Sequence, residues 1–195
     1  MARRNKRYDF RPDKVNNDIL GKLLLTQQQF YRLLRWVLFS GVCLLGLVLQ
    51  DVVMSRFQLL GASTDLVPAL IIAVCIFQGG ERGCVFALTA AVLYHFSGSA
   101  PGAYCIPLIT FLAVFAAIFR QAYLRKGFSS LMICSTAAVV LYECGIFLIA
   151  FFLKQTHSQR FGVFMLSALL TLLCLPVLYP ILMSIGKIGG ETWKE

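Results

Sequence analysis

Long apolar runs broken by short polar stretches dominate the chain from residue 36 onward, and the pattern predicts six helical segments. The first covers residues 36–53, with Trp36 as an interfacial anchor at its start. Two short runs follow, Leu66–Gln78 and residues 83–96, split by Gly79, Gly80, Glu81 and Arg82. At about 1.5 Å per residue each reaches only some 20 Å, against a hydrocarbon core of about 30 Å. They therefore form either two short spans or a re-entrant hairpin, and both choices return the chain to one side. Residues 97–103 make a turn rich in Ser, Gly and Pro. The fourth segment then runs to Phe119 with Pro107 as a kink, ahead of a basic loop over residues 120–126. Residues 128–153 and Phe161–Gly186 complete the set, Pro176 and Pro180 interrupting the last backbone ladder. Upstream, residues 15–34 put Leu20, Leu23, Leu24, Tyr31 and Leu34 near one face, which fits an interfacial helix or a partly ordered tail.

Composition turns this pattern into a membrane assignment. Hydrophobic residues make up 58% of the chain and mean hydropathy is +0.76, so no soluble domain fits beside the spans. The expected organisation is a basic cytoplasmic tail over 1–35, a six-helix membrane domain over 36–187 and a short cytoplasmic tail over 188–195. Charge orients it. Nine of the 18 Lys and Arg residues lie in the first 35 positions, opposed only by Asp9, Asp13 and Asp18. With the amino terminus inside, the tail, Arg82, the 120–126 loop, Lys187 and Lys194 place 15 basic residues in the cytoplasm. Arg56, Lys154 and Arg160 are the 3 outside, so both termini are expected to be cytoplasmic. Such a tail suits anionic lipids rather than nucleic acid, because an apolar body follows directly. The first apolar run begins near Leu33 and is too long for a cleavable signal peptide.

Few residues offer chemistry. Glu143, amid the fifth segment, is the strongest candidate, since a carboxyl at membrane depth is costly; it serves as an interhelical hydrogen-bond clamp or a proton relay. Asp51 and Asp65 sit near the outer interface as solvated or capping carboxylates. His95 ends the third segment beside Ser97, Gly98 and Ser99, without the oxyanion donors or third orienting group of a serine hydrolase. Nucleophile-elbow, zinc-protease, P-loop and dinucleotide signatures are missing. The seven cysteines contain no CxxC pair and fall in apolar runs as small hydrophobes, so neither metal nor cofactor is expected. Gly83, Ala87 and Ala91 recur every four residues on a ridge ending at His95, a surface for close helix contact within the chain or with a partner.

The order of landmarks resembles the MreD family of bacterial rod shape-determining proteins over about 150 residues. The landmarks are Leu49-Gln50, Phe57, Leu59-Leu60-Gly61, Asp65-Leu66, the Gly79 to Gly83 break, Ser97-Gly98, Pro101-Gly102, Tyr142-Glu143, and the run from Pro176 to Pro180. The chain departs from the family at Thr64, where Pro usually precedes the Asp, at His95, commonly acidic, and in its longer basic tail. The resemblance implies a non-enzymatic scaffold in the cytoplasmic membrane, supporting cell shape and peptidoglycan synthesis by binding an MreC-like protein. Through it the chain is linked to a RodA-type glycosyltransferase, a class B penicillin-binding protein and MreB. It also implies an all-α bundle of about six transmembrane helices, similar to the S-components of energy-coupling-factor transporters. Candidate interface or structural residues are then Gln50, Asp65, Gly83, Ala87, Ala91, His95, Gly98, Gly102, Glu143, Pro176 and Pro180. The alternative is a small-molecule binding or transport subunit using the 79–83 break or a pocket near Asp65 and Ser97. It requires several polar groups converging at mid-depth, and the sequence shows mainly Glu143 there.

Overall fold

Leu66–Gln78 occupies the middle of the structure. The computed structural model describes residues 27–56, 61–124 and 127–188. Among them run six helices: α1 (Gln27–Val52), α2 (Leu66–Gln78), α3 (Gly80–Phe96), α4 (Cys105–Tyr123), α5 (Phe128–Phe152) and α6 (Phe161–Gly186). Single 3-10 turns at Met54–Arg56 and Ser158–Arg160 precede α2 and α6. Among the described residues the fold is all-helical, and four stretches, Phe30–Val52, Cys105–Tyr123, Phe128–Phe152 and Ser158–Gly186, are long and apolar enough to cross a membrane.

The reason α2 lies at the centre is its composition. It is apolar on every side, with each residue from Leu66 to Ile76 buried, and it packs against all five other helices. A helix without a polar face belongs either against lipid or inside a core, and at 13 residues α2 is too short to cover the hydrocarbon depth with its own ends in water, which fits the inner position. Its neighbours show the opposite arrangement from a soluble bundle. Leu44, Leu45 and Val48 of α1, Phe111 and Phe115 of α4, and Leu169, Leu173 and Val177 of α6 are exposed. Apolar area on that scale belongs against lipid. Facing inward are small or polar residues: Ala113, Ala116 and Ala117 of α4, Ser135 and Ala138 of α5, Ser167, Ala168 and Thr171 of α6.

Several expectations change. The break between α2 and α3 is one residue, Gly79, whose φ of 88° belongs to the left-handed half of backbone space that glycine enters freely. Gly80, Glu81 and Arg82 already lie in α3. The Gly83, Ala87, Ala91 ridge is buried and faces the protein's own core. A Cβ on Gly83 would stand 2.7 Å from the carbonyl oxygen of Cys75, so α3 meets the backbone of α2 directly. His95 at its end is half-buried.

α1 starts at Gln27 rather than 36, so the later part of the expected interfacial helix is continuous with the first span; residues 15–26 lie outside the described residues. Trp36, expected as an interfacial anchor, packs edge-on against Phe86 with ring centroids 5.9 Å apart and so also joins α1 to α3. Pro107 falls in the first turn of α4, where its missing N–H has no intrahelical acceptor to lose, and it does not kink the span. α4 continues past Phe119 to Tyr123, which takes Arg120 out of the loop. α6 runs unbroken through Pro176 and Pro180, both exposed; between them Tyr179 packs on Phe77 and Phe128 at 6.2 and 4.6 Å. Residues 189–195 and the landmarks Phe57, Leu59 and Leu60 lie outside the described residues.

Packing of this kind is sensitive to single atoms. Gly83→Ala should lower the melting temperature of the detergent-purified protein, and Ala87→Leu should cost about 1 to 3 kcal/mol by overpacking. Gly41→Ala, where a Cβ meets nothing within 4 Å, should be neutral or mildly stabilising. Equal melting temperatures for all three would contradict the core-facing ridge.

Candidate functional site

At 13 residues, α2 is about half as long as α1, α5 or α6, at 26, 25 and 26 residues. The bundle around it is deeper than α2 can fill, and the shortfall lies above its amino-terminal end. There a cavity of about 400 Å³ opens between α5, α6 and the segments 61–65 and 99–104. Asp65, Glu143, Ser63, Ser167, Tyr104 and Thr156 supply polar lining, while Ile146, Ala150, Val163 and Phe164 supply an apolar wall.

Behind the lining residue Asp65 lies a network tied to the first turn of α2. Gln50, 6% exposed on α1, accepts at Oε1 from the Val67 backbone N–H at 2.9 Å. That N–H is one of the helix-end donors lacking an intrahelical partner, so Gln50 caps α2 from a different helix. Its Nε2 reaches Asp65 Oδ1 at 3.4 Å and Tyr94 Oη at 3.5 Å, both long contacts. Asp65 occupies the N-cap position of α2, yet its side chain makes no capping bond; its backbone N–H donates to Thr171 Oγ1 on α6 at 3.0 Å. Thr171 Oγ1 donates in turn to the Ser167 carbonyl one turn back, at 2.9 Å.

Glu143 lies on the cavity floor, 2% exposed. Ser167 Oγ donates to the Ser63 carbonyl at 2.7 Å and lies 3.2 Å from Glu143 Oε1, so one hydroxyl ties α5, α6 and the approach to α2 together. The Glu143–Ser167 contact joins α5 to α6. At the rim, Ser97 donates to the Tyr94 carbonyl at 2.8 Å and contacts Ser99, which donates to Asp51 at the end of α1. His95 Nδ1 is buried and meets no partner among the described residues, and the geometry does not join it to either serine. Gly98 and Gly102 lie in the turn between α3 and α4. Tyr104 precedes α4 and donates to the Pro101 carbonyl at 3.4 Å; burial, with Cys105 beside it, holds its phenol above the ordinary range, so it remains a neutral donor.

The other end of α2 is served in the same way. Arg120, 5% exposed on α4, donates from Nη1 to the Ile76 carbonyl at 2.9 Å, in the last turn of α2. Sequence reading placed Arg120 in a cytoplasmic loop and missed Ser63, Tyr94, Ser167 and Thr171. The available signals were the inward small-residue face Ala113, Ala116, Ala117, Arg120 on α4, and the Ser167/Thr171 spacing of one turn on α6. Gln50, Asp65 and Glu143 are brought to one site; Gly83, Ala87 and Ala91 are not part of it, and Pro176 and Pro180 flank the aromatic contact made by Tyr179.

Cys43, Cys75, Cys105 and Cys134 are buried free thiols, and Cys84, Cys144 and Cys174 are half-buried. Among the described residues no three His, Cys, Asp or Glu side chains converge as a metal site. Comparison with protein-family models, curated proteins and solved structures finds no match. Chemically, the floor combines two carboxylates with hydroxyl and amide groups already engaged in fixing helices, an arrangement suited to holding a position or a ligand.

If Gln50 and Arg120 are the side chains that terminate α2, removing either leaves a backbone group unpaired in an apolar interior. Gln50→Leu should cost about 1 to 3 kcal/mol. Hydrogen–deuterium exchange should accelerate at Val67 in Gln50→Leu, and in the last turn of α2 in Arg120→Met. Unchanged exchange at both ends would remove the capping roles.

Proposed function

We propose that this chain is a non-enzymatic membrane scaffold of the bacterial cell-elongation complex, acting through an MreC-like partner. The observation that carries the reading is what the family-like landmarks do in the fold. Gln50 caps α2, Asp65 precedes it, Gly79 ends it, Gly83 lies against Cys75, and Tyr179 stacks on Phe77. Residues spread from 50 to 179 thus share one task, seating the central helix. Landmarks that build an architecture, rather than a reacting group, fit a protein whose work is to present its outer helices to others. The charge distribution supports cytoplasmic termini, with the basic tail meeting anionic lipids or cytosolic partners. An MreC-like protein is the direct partner in this reading, and the RodA-type polymerase, class B penicillin-binding protein and MreB are indirect ones.

Depletion in the host should convert elongated cells to rounded ones, and affinity purification in mild detergent should recover an MreC-like protein. Normal shape after depletion, with no cell-wall protein recovered, would defeat the reading. For orientation, a cysteine at Ser158 should react with a membrane-impermeant thiol reagent in intact spheroplasts, whereas one at Glu81 should react only after lysis. Both positions are exposed, so the reverse pattern would invert the topology.

A further inference from the structure

The cavity above α2 has a chemically one-sided floor. Asp65 and Glu143 both line it, and neither has an ion-pair partner among the described residues. One oxygen of Glu143 meets Ser167; among the described residues no donor reaches the other. Thr156 Oγ1, in the same lining, is buried and unbonded. Among the lining residues the cationic group is Arg160, in the exposed turn before α6. An ionised carboxylate at such depth is costly unless a cation joins it, and a group left alone there takes up a proton instead; a bound cation would hold both in the charged form. A bare metal ion does not match the space: about 400 Å³ falls in the range of small-molecule pockets. One wall is hydrocarbon besides, from Ile146, Ala150, Val163 and Phe164.

We propose that this cavity binds a small organic cation, a primary ammonium on an apolar body, with the ammonium at Asp65 and Glu143 and the body along the Phe164 wall. The ammonium has three donors to distribute, and the floor offers the free oxygen of Glu143, the Asp65 carboxylate and nearby hydroxyl oxygens. The apolar wall accounts for preference over sodium or potassium, which gain nothing from hydrocarbon. This site does not depend on the scaffold reading, which concerns the outer faces of the helices.

The test is equilibrium dialysis of the detergent-purified full chain against radiolabelled n-butylammonium chloride. Saturable binding of one equivalent is expected, displaced by unlabelled n-butylammonium but not by sodium butyrate or sodium chloride at equal ionic strength. Glu143→Gln keeps an oxygen for Ser167 and should weaken binding about tenfold or more. Val163→Phe, which fills the cavity without touching a carboxylate, should also abolish it, and Glu81→Gln at the far end of the bundle should change nothing. Helicity and gel-filtration profile establish that each variant is folded. Non-saturable uptake, equal displacement by butyrate or sodium chloride, or unchanged affinity in either folded cavity variant would overturn the proposal.

Discussion

This bundle has to satisfy the two ends of one short helix that is buried from Leu66 to Ile76. In water the free N–H and C=O groups at helix termini find solvent; inside an apolar bundle each unpaired group costs on the order of kilocalories per mole. α2 ends within protein at both extremities, and side chains from other helices serve each end, Gln50 from α1 and Arg120 from α4. Their placement constrains the rest. Gln50 must stand near the end of α1, so α1 runs the full depth of the bundle. Arg120 must reach inward from the last turn of α4, which requires the alanines before it to let α4 approach α2 closely.

The outer surface follows the reverse logic of a soluble domain. With lipid outside there is little apolar driving force between helices, and association rests on close packing and interhelical hydrogen bonds. Both devices are present, in the contact of Gly83 with the α2 backbone and in the clamp of Glu143, Ser167 and Ser63. The clamp and the Asp65–Thr171 bond fasten α6 by two hydroxyls one turn apart, so α6 keeps its register even where Pro176 and Pro180 remove ladder bonds.

Much of this was legible in the chain because apolar runs end at recognisable residues. Asp65 and Gly79 bracket α2 as expected, and α6 begins and ends where its run does. The polar stretch Gly80 to Arg82 misled because three polar or flexible residues resemble a loop; on α3 they fit a helical first turn at the bundle end. Arg120 misled for a related reason: a basic residue after an apolar run resembles a flank, and only the approach of Ile76 reveals its partner. The site itself was the least legible part. Gln50, Asp65 and Glu143 are far apart in sequence, and their convergence depends on tertiary packing that periodicity does not encode. The signal available was a mismatch of lengths, since a central helix of 13 residues among neighbours of 25 and 26 must leave a gap at one end.

That shortfall also has an electrical consequence. Once the domain lies in a bilayer, a cavity that admits water carries the potential of the adjoining solution down to its floor. Along this line the membrane voltage then falls across α2, a path of about 20 Å, instead of the full hydrocarbon depth of about 30 Å. The field there is steepened by about half, while Asp65 and Glu143, on the watery side of the drop, experience little of it. The central helix, whose backbone dipoles are aligned along that path, then lies across the steepened part of the drop.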